Sequence, residues 1–193
     1  MDVSLQEWSG LMKIAISQRI IYVKGRAYDA TEHGWYDLLA GHNLFFVPNT
    51  LNQDLDLIAD NSDSFIITGG DDSDLRRTVE LKLAAKMLQR NKPVVGICHG
   101  AFLLAEMIGG TMGEVKNHQD VDHPIFYHRE VREVNSHHTL GIISMPDSVD
   151  IICRDYLGNI EAFTDGSLAG IVWHPERMKE PWIPPEIAYM LKI

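Results

Sequence analysis

Short apolar runs alternate with amphipathic segments along the first half of the chain. Strands are predicted at residues 14–16, 45–47, 64–68 and 93–97, with helices over 29–40, 74–90 and 99–108. In the second helix, apolar residues recur every fourth position and form a stripe, namely Leu75, Val79, Leu83 and Met87. Alternation of helices with short apolar strands predicts an α/β fold whose mostly parallel central sheet is covered by helices on both faces.

After about residue 128 the pattern changes to strands separated by glycine-bearing turns. Five further strands are predicted, over residues 131–134, 142–145, 151–154, 160–163 and 168–173. They predict extra β-strands in the C-terminal half, joined to the same sheet. With no repeat or linker in the sequence, we expect a single domain over 1–193, of which 1–11 form an N-terminal extension.

Charge and composition narrow the class of partner. The 193 residues carry 17 Lys and Arg against 27 Asp and Glu, a formal charge of −10. Nucleic acid and anionic membranes repel such a chain. No apolar run is long enough to span a bilayer, the N-terminus has acids where a signal peptide has cations, and two cysteines cannot form a disulfide framework. We expect a cytoplasmic protein acting on a small molecule, with neither nucleic acid nor membrane as partner.

The sequence Gly96-Ile97-Cys98-His99-Gly100 stands where an apolar strand turns directly into a helix. A sharp strand–nucleophile–helix turn needs small flanking residues and exposes the central side chain at the carboxyl edge of the sheet. The positive end of the following helix favours a thiolate. Cys98 is therefore the candidate nucleophile, whereas Cys153 lies within a predicted strand and is interpreted as a packing residue.

A nucleophilic thiol needs a general base and a group that orients the base. His174 follows the last predicted strand, and Glu176 lies two residues later. A carboxylate at that spacing can hold one ring nitrogen and fix the tautomer. Acyl transfer also requires donors for the developing oxyanion. The amide of His99 is one candidate, and the pair Gly69-Gly70 at the end of another strand can offer a second or form a simple turn.

At these residues the chain resembles the class I glutamine amidotransferase superfamily, and within it the γ-glutamyl hydrolase-like branch that includes γ-glutamyl-γ-aminobutyrate hydrolases. The shared stretches are residues 67–70, 96–100, 134–138 and 173–176. The resemblance implies a flavodoxin-like three-layer sandwich and a triad of Cys98, His174 and Glu176. It also implies an oxyanion hole from the amides of Gly70 and His99. The reaction would pass through a γ-glutamyl thioester on Cys98 that water hydrolyses.

One position departs from the pattern of that superfamily. The amidotransferase sequence continues as C-x-G-x-Q, and the glutamine helps to hold the glutamyl group, but here the position is Phe102. A phenyl ring has none of the donors and acceptors of an amide. The predicted substrate-binding residues are accordingly Gly69, Phe102, Asn135, Ser136 and His137.

The hypothesis favoured by the sequence is a stand-alone hydrolase of a small γ-glutamyl amide, with no organic cofactor and no metal. A polar group that resembles a metal site has spacings that fit no familiar pattern, namely His118, Asp120, Asp122, His123 and His128. Two alternatives stay open. One is a glutaminase subunit that delivers ammonia to a separate synthase, and the other is a non-catalytic binding protein. A homodimer also stays open.

Overall fold

The parallel strands predicted in the first half form one half of the sheet. The computed structural model describes residues 11–193, so the expected extension at 1–11 lies outside the described residues except for Leu11. Strands β1 (Lys13–Ser17), β4 (Asn43–Val47), β5 (Ser64–Ile67), β6 (Val94–Ile97) and β13 (Leu168–Ile171) run parallel in the order β4-β1-β5-β6-β13. The carboxyl ends of β5, β6 and β13 therefore meet at one edge.

The sheet continues from β13 as an antiparallel half. Its strands are β12 (Ile160–Thr164), β11 (Asp150–Asp155), β8 (Gln119–Tyr127) and β9 (Glu130–His137), in that order. Strand β10 (Leu140–Ser144) pairs with both β12 and β7 (Thr111–Glu114). The expectation of extra β-strands in the C-terminal half is confirmed.

Helices cover both faces of the sheet, because successive strand residues point to opposite sides. Helices α2 (Leu55–Asn61), α3 (Asp74–Gln89) and α4 (His99–Met107) pack on one face, whose core includes Phe65, Leu83 and Phe163. Helices α1 (Gly34–Leu38) and α5 (Pro185–Leu191) pack on the other, together with Trp35 and Trp173. The predicted three-layer α/β sandwich is confirmed. Among residues 11–193, no helix is long and apolar enough to cross a membrane.

Two local predictions are wrong in part. The helix expected over 29–40 shortens to α1, because its first residues belong to a hairpin of β2 (Arg19–Val23) and β3 (Arg26–Ala30). In α3 three of the four predicted stripe residues are buried, namely Val79, Leu83 and Met87, and the first is not. Leu75 is 43% exposed, whereas Arg76 and Glu80 are fully buried beside Val79 and Leu83. The single domain stays a prediction.

Candidate active site

Cys98 occupies the turn between β6 and α4 with a backbone conformation of φ 51° and ψ −105°. The two flanking glycines are required by packing. A Cβ on Gly96 would lie 2.3 Å from the carbonyl of Gly100, and one on Gly100 would lie 2.2 Å from the carbonyl oxygen of Ile67. The turn thus brings the start of α4 against the sheet and places the thiol at its carboxyl edge.

The thiol of Cys98 is 8% exposed, and burial raises its pKa to about 11. The negative charge of Glu176 acts in the same direction, while the backbone N–H of His99 donates to the sulfur and opposes it. The helix end was expected to favour the thiolate, and burial acts against it. Cys98 holds its proton at neutral pH, so attack requires a base.

His174 reaches the same edge from the neighbouring strand. Ile171 of β13 pairs with Ile97 of β6, and the amide of Cys98 donates to the carbonyl of Ile171 at 2.8 Å. His174 follows three residues later, and its Nδ1 lies 2.7 Å from Oε1 of Glu176, both residues being buried. A carboxylate accepts hydrogen bonds, so Nδ1 carries the proton and Nε2 presents a lone pair. This is the tautomer that a general base needs.

The backbone of His174 is fixed by Asn135 of β9. The amide N–H of His174 donates to Oδ1 of Asn135, and Nδ2 of Asn135 donates to the carbonyl of His174, both at 2.8 Å. The antiparallel half thereby holds the histidine in place. Because its amide is engaged in this way, Asn135 positions His174, and contact between Asn135 and substrate stays a prediction.

Gly69 and Gly70 lie at the end of β5 beside His174. A Cβ on Gly69 would stand 2.4 Å from Cε1 of the His174 ring, so the ring packs directly against the glycine. Gly70 has φ +121°, a conformation that favours glycine, and a Cβ there would meet Arg76 and Arg19. The structure therefore places both glycines at the same edge as His174.

A buried ion pair under this edge was not anticipated from the sequence. Arg76 and Glu80 lie one turn apart on α3, with Nε of Arg76 2.8 Å from Oε1 of Glu80 and both side chains at 0% exposure. The second carboxylate oxygen, Oε2, is 2.8 Å from Nε2 of His99, and Ser17 donates to Oε1 at 2.7 Å. Glu80 thus fixes the first residue of α4. Burial alone would raise the pKa of its carboxyl, but the hydrogen bonds and the charge of Arg76 outweigh burial and lower that pKa.

Arg76 fixes the glycine loop in the same way. Its Nη2 donates to the carbonyl of Thr68 at 2.6 Å and to that of Gly69 at 3.3 Å, and its Nη1 donates to the carbonyl of Asp71. The only sequence signal for this pair is an Arg and a Glu four residues apart next to an apolar stripe. Elsewhere such a pair is ordinarily a solvated helix contact.

The remaining predicted substrate residues divide into two groups. Ser136 is wrong as a substrate contact, because it is fully buried and its hydroxyl donates to the carbonyl of His118. His137 lies at the rim, with its ring 5.5 Å from that of His174 and its Nδ1 2.8 Å from Asp120. Phe102 is half-buried, with its ring 5.7 Å from that of His138, and contributes an apolar surface.

A polar cavity adjoins the His174–Glu176 pair. Its volume is about 510 Å³, and the wall that includes Asn135 also carries charged residues of both signs, namely Arg132, Arg177 and Lys179 with Asp122, Glu133 and Glu180. Arg177 lies 3.8 Å from Glu176, which connects this cavity to the acid–base pair. Arg132 stacks over the ring of Trp182 at 4.8 Å. Three basic and three acidic side chains line the cavity, so its lining has no excess charge of either sign.

Known proteins are similar to this chain over most of its length. The family model for glutamine amidotransferase class-I matches residues 34–185. The chain is 28% identical over 185 residues to γ-glutamyl-CDP-amidate hydrolase of Campylobacter jejuni, covering 86% of this chain and 90% of that protein. It is 26% identical to a glutamine-hydrolyzing GMP synthase subunit of Haloquadratum walsbyi, covering 70% of this chain and 77% of that one. It spans only 21% of the glutamine-hydrolyzing GMP synthase of Mycobacterium bovis.

A solved structure shares the fold. It belongs to a GMP synthase subunit protein from Thermoplasma acidophilum. It superposes with a TM-score of 0.69 at 18% identity, over 94% of this chain and 92% of that one. At this identity the similarity concerns the fold alone.

Proposed function

The chain belongs to the class-I glutamine amidotransferase family, and on that basis we propose that it is a cysteine-dependent hydrolase of a small γ-glutamyl amide. The observation that carries the proposal is the arrangement of His174, whose Nδ1 is held by Glu176 at the strand end adjacent to Cys98. Similarity to a γ-glutamyl-amidate hydrolase over most of both chains supports the γ-glutamyl group as the acyl part.

In the proposed acylation, Nε2 of His174 removes the proton from Cys98 while the sulfur attacks the γ-carbonyl carbon of the substrate. The carbon–sulfur bond forms as the carbonyl electron pair moves to oxygen. His174 then donates the proton to the departing nitrogen as the carbon–nitrogen bond breaks, which leaves a γ-glutamyl thioester. Glu176 stabilises the imidazolium that forms between these steps.

Deacylation reuses the same groups. Water attacks the thioester carbon while His174 accepts its proton, and the sulfur departs and regains that proton from His174. The products are the γ-carboxyl group and the free thiol. The amides of His99 and Gly70 are the proposed oxyanion donors in both halves. Arg76 and Glu80 hold those two backbone positions from below.

The cavity beside the acid–base pair offers a place for the leaving group. Arg132, Arg177 and Lys179 line the space next to the acid–base pair. We propose that the amine part of the substrate occupies this cavity, while the glutamyl part lies toward Phe102 and His137. No metal or organic cofactor takes part in these steps.

The test is a screen of γ-glutamyl amides with neutral, cationic and phosphorylated leaving amines, together with free glutamine. We expect turnover by the wild type, none by Cys98→Ala, and a glutamyl-sized adduct on Cys98 by mass spectrometry. Cys153→Ala is the matched control, since Cys153 is buried in β11, and it should keep the activity. Unchanged turnover by Cys98→Ala would refute the proposal.

A second candidate is a glutaminase subunit for a separate synthase, favoured by the similarity to the Haloquadratum walsbyi synthase subunit over 77% of that protein. It requires free glutamine as the preferred substrate and stimulation by the synthase. Phe102, at the position of the family glutamine, argues against it. Preference for glutamine over every other amide in the screen would favour this second candidate.

A further inference from the structure

Three imidazoles and one carboxylate are buried together in the antiparallel half of the sheet. We call them the histidine cluster: His118, His123, His138 and Glu161. Their exposed fractions are 1%, 4%, 7% and 1%, respectively. The ring of His118 lies 4.3 Å from that of His123 and 5.2 Å from that of His138. His118 directly precedes β8 and His123 lies within it. His138 directly follows β9, and Glu161 lies in β12.

All three rings are oriented by the same kind of contact. Nδ1 of His118 lies 2.7 Å from the carbonyl of Lys116, that of His138 2.6 Å from the carbonyl of Leu140, and that of His123 3.3 Å from the carbonyl of Pro124. A carbonyl oxygen only accepts hydrogen bonds, so each Nδ1 carries the proton. Each neutral ring therefore presents the lone pair of Nε2 to the interior.

These lone pairs meet no donor. Within residues 11–193, Nε2 of His118, His123 and His138 and Oε2 of Glu161 are buried without a hydrogen-bond partner. Donor atoms of His118, His123 and Glu161 lie within 4.8 Å of one another. Buried acceptors are ordinarily satisfied, and here either a cation or an ordered water would do so. A second proton on His118 would let it donate to Asp155 at 3.1 Å, but would leave the other two nitrogens unpartnered.

We propose that His118, His123 and Glu161 bind a transition-metal ion, for which Zn²⁺ is the best match, and that His138 supplies the fourth donor. Imidazole nitrogen and carboxylate oxygen are zinc ligands, and a ligating histidine typically donates its other N–H to a carbonyl. The burial of every donor indicates a closed, structural site. The ion would tie the β8–β9 hairpin, and with it Asn135, to β12.

This inference reverses the expectation of no metal. The polar group singled out in the sequence contains two of the proposed metal ligands, His118 and His123. Its other members, Asp120, Asp122 and His128, are exposed. The remaining donors are supplied by other strands. The cluster includes neither Cys98 nor His174, so metal binding can be tested separately from the proposed hydrolysis.

The experiment uses the full chain without an affinity tag. Because the site is closed, protein is prepared from zinc-supplemented culture, and also unfolded with chelator and refolded with or without Zn²⁺. Metal content is measured by mass spectrometry, and the thermal midpoint is recorded. The variants are His123→Gln and Glu161→Gln, with His128→Gln, which removes an exposed imidazole, as the matched control. Cys98→Ala tests whether Zn²⁺ binds at the thiol of Cys98 instead of at the histidine cluster.

We expect one Zn²⁺ per chain in the wild type, His128→Gln and Cys98→Ala, and an affinity at least 100-fold weaker in His123→Gln and Glu161→Gln. With Zn²⁺ at 100 times its Kd, the midpoint of the wild type should rise by about 5–10 °C. Wild type free of zinc in both preparations would overturn the site, as would unchanged zinc content in folded cluster variants.

If the variants fail to fold, a measurement on the wild type still tests the metal site. Protein refolded with Co²⁺ should show the visible absorption of a nitrogen- and oxygen-ligated ion. A thiolate-to-cobalt charge-transfer band would place the metal at a cysteine and refute the proposal.

Discussion

Replacement of Gly69 by Ala tests whether the ring of His174 must occupy its observed position. The added Cβ would lie 2.4 Å from Cε1 of His174, whereas ordinary contact begins near 3.4 Å. The ring must therefore move by about 1 Å. It cannot do so freely, because Nδ1 is bonded to Glu176 and the backbone is held by Asn135. Gly69 has an ordinary φ, so the substitution strains no backbone angle.

The expected loss follows from this displacement. A misplacement of about 1 Å costs roughly 100-fold in rate, which corresponds to about 3 kcal/mol of transition-state stabilisation. We expect kcat of Gly69→Ala to fall by that factor, with a small change in KM, because the histidine acts on the reacting atoms. The thermal midpoint should change little if the ring alone moves.

The assay is steady-state hydrolysis of the best amide from the substrate screen, with circular dichroism and thermal unfolding on the same preparations. The matched control is Gly113→Ala on β7, where the Cβ would meet only the side chain of Ile143 at 2.8 Å. A folded Gly69→Ala protein with kcat within threefold of the wild type would refute the assigned position of the imidazole.

Three further predictions follow from the hydrogen bonds and the burial at the site. Asn135→Ala should lower kcat by at least tenfold and destabilise the fold by about 1–3 kcal/mol, because two backbone groups of His174 lose their partners. Steady-state kinetics and urea unfolding measure the two effects, and an unchanged kcat would contradict the prediction. Glu80→Gln should cost about 3–5 kcal/mol in urea unfolding, since Arg76 is left as an uncompensated buried charge, and a loss below 1 kcal/mol would argue against it. Burial raises the pKa of Cys98 from 9.0 to about 11, so between these pH values the unfolded chain loses the proton first. The stability of the wild type relative to Cys98→Ala should therefore fall by about 3 kcal/mol across this window. A difference in unfolding free energy between the two proteins that stays constant with pH would disprove the burial effect.

The strands of the parallel half and the turn at Cys98 could be predicted from the sequence, because each depends on local signals. Apolar strands are short and uninterrupted there, and the flanking glycines at 96 and 100 mark a bend that no larger residue permits. His174 and Glu176 were found for the same reason, since both follow directly from one strand. At these residues the local sequence pattern is enough to indicate the position of the side chain in the fold.

The supporting groups could not be predicted, because their partners lie far away along the chain. Asn135 has the pattern of an exposed strand residue, and only the fold brings it to the backbone of His174. Arg76 and Glu80 have the spacing of a surface pair, and their burial depends on how α3 rotates against the sheet. Ser136 was misassigned because a shift in the β8–β9 register decides which face it occupies.

The contacts of Glu80 have a consequence for local unfolding of this protein. Its carboxylate is shared by Ser17 on β1, Arg76 on α3 and His99 on α4, three segments that are distant in the chain. Detachment of any one of them leaves an unscreened charge inside an apolar interior. We therefore expect β1, α3 and α4 to exchange their slowest amide hydrogens at a common rate, as one cooperative unit without partial opening.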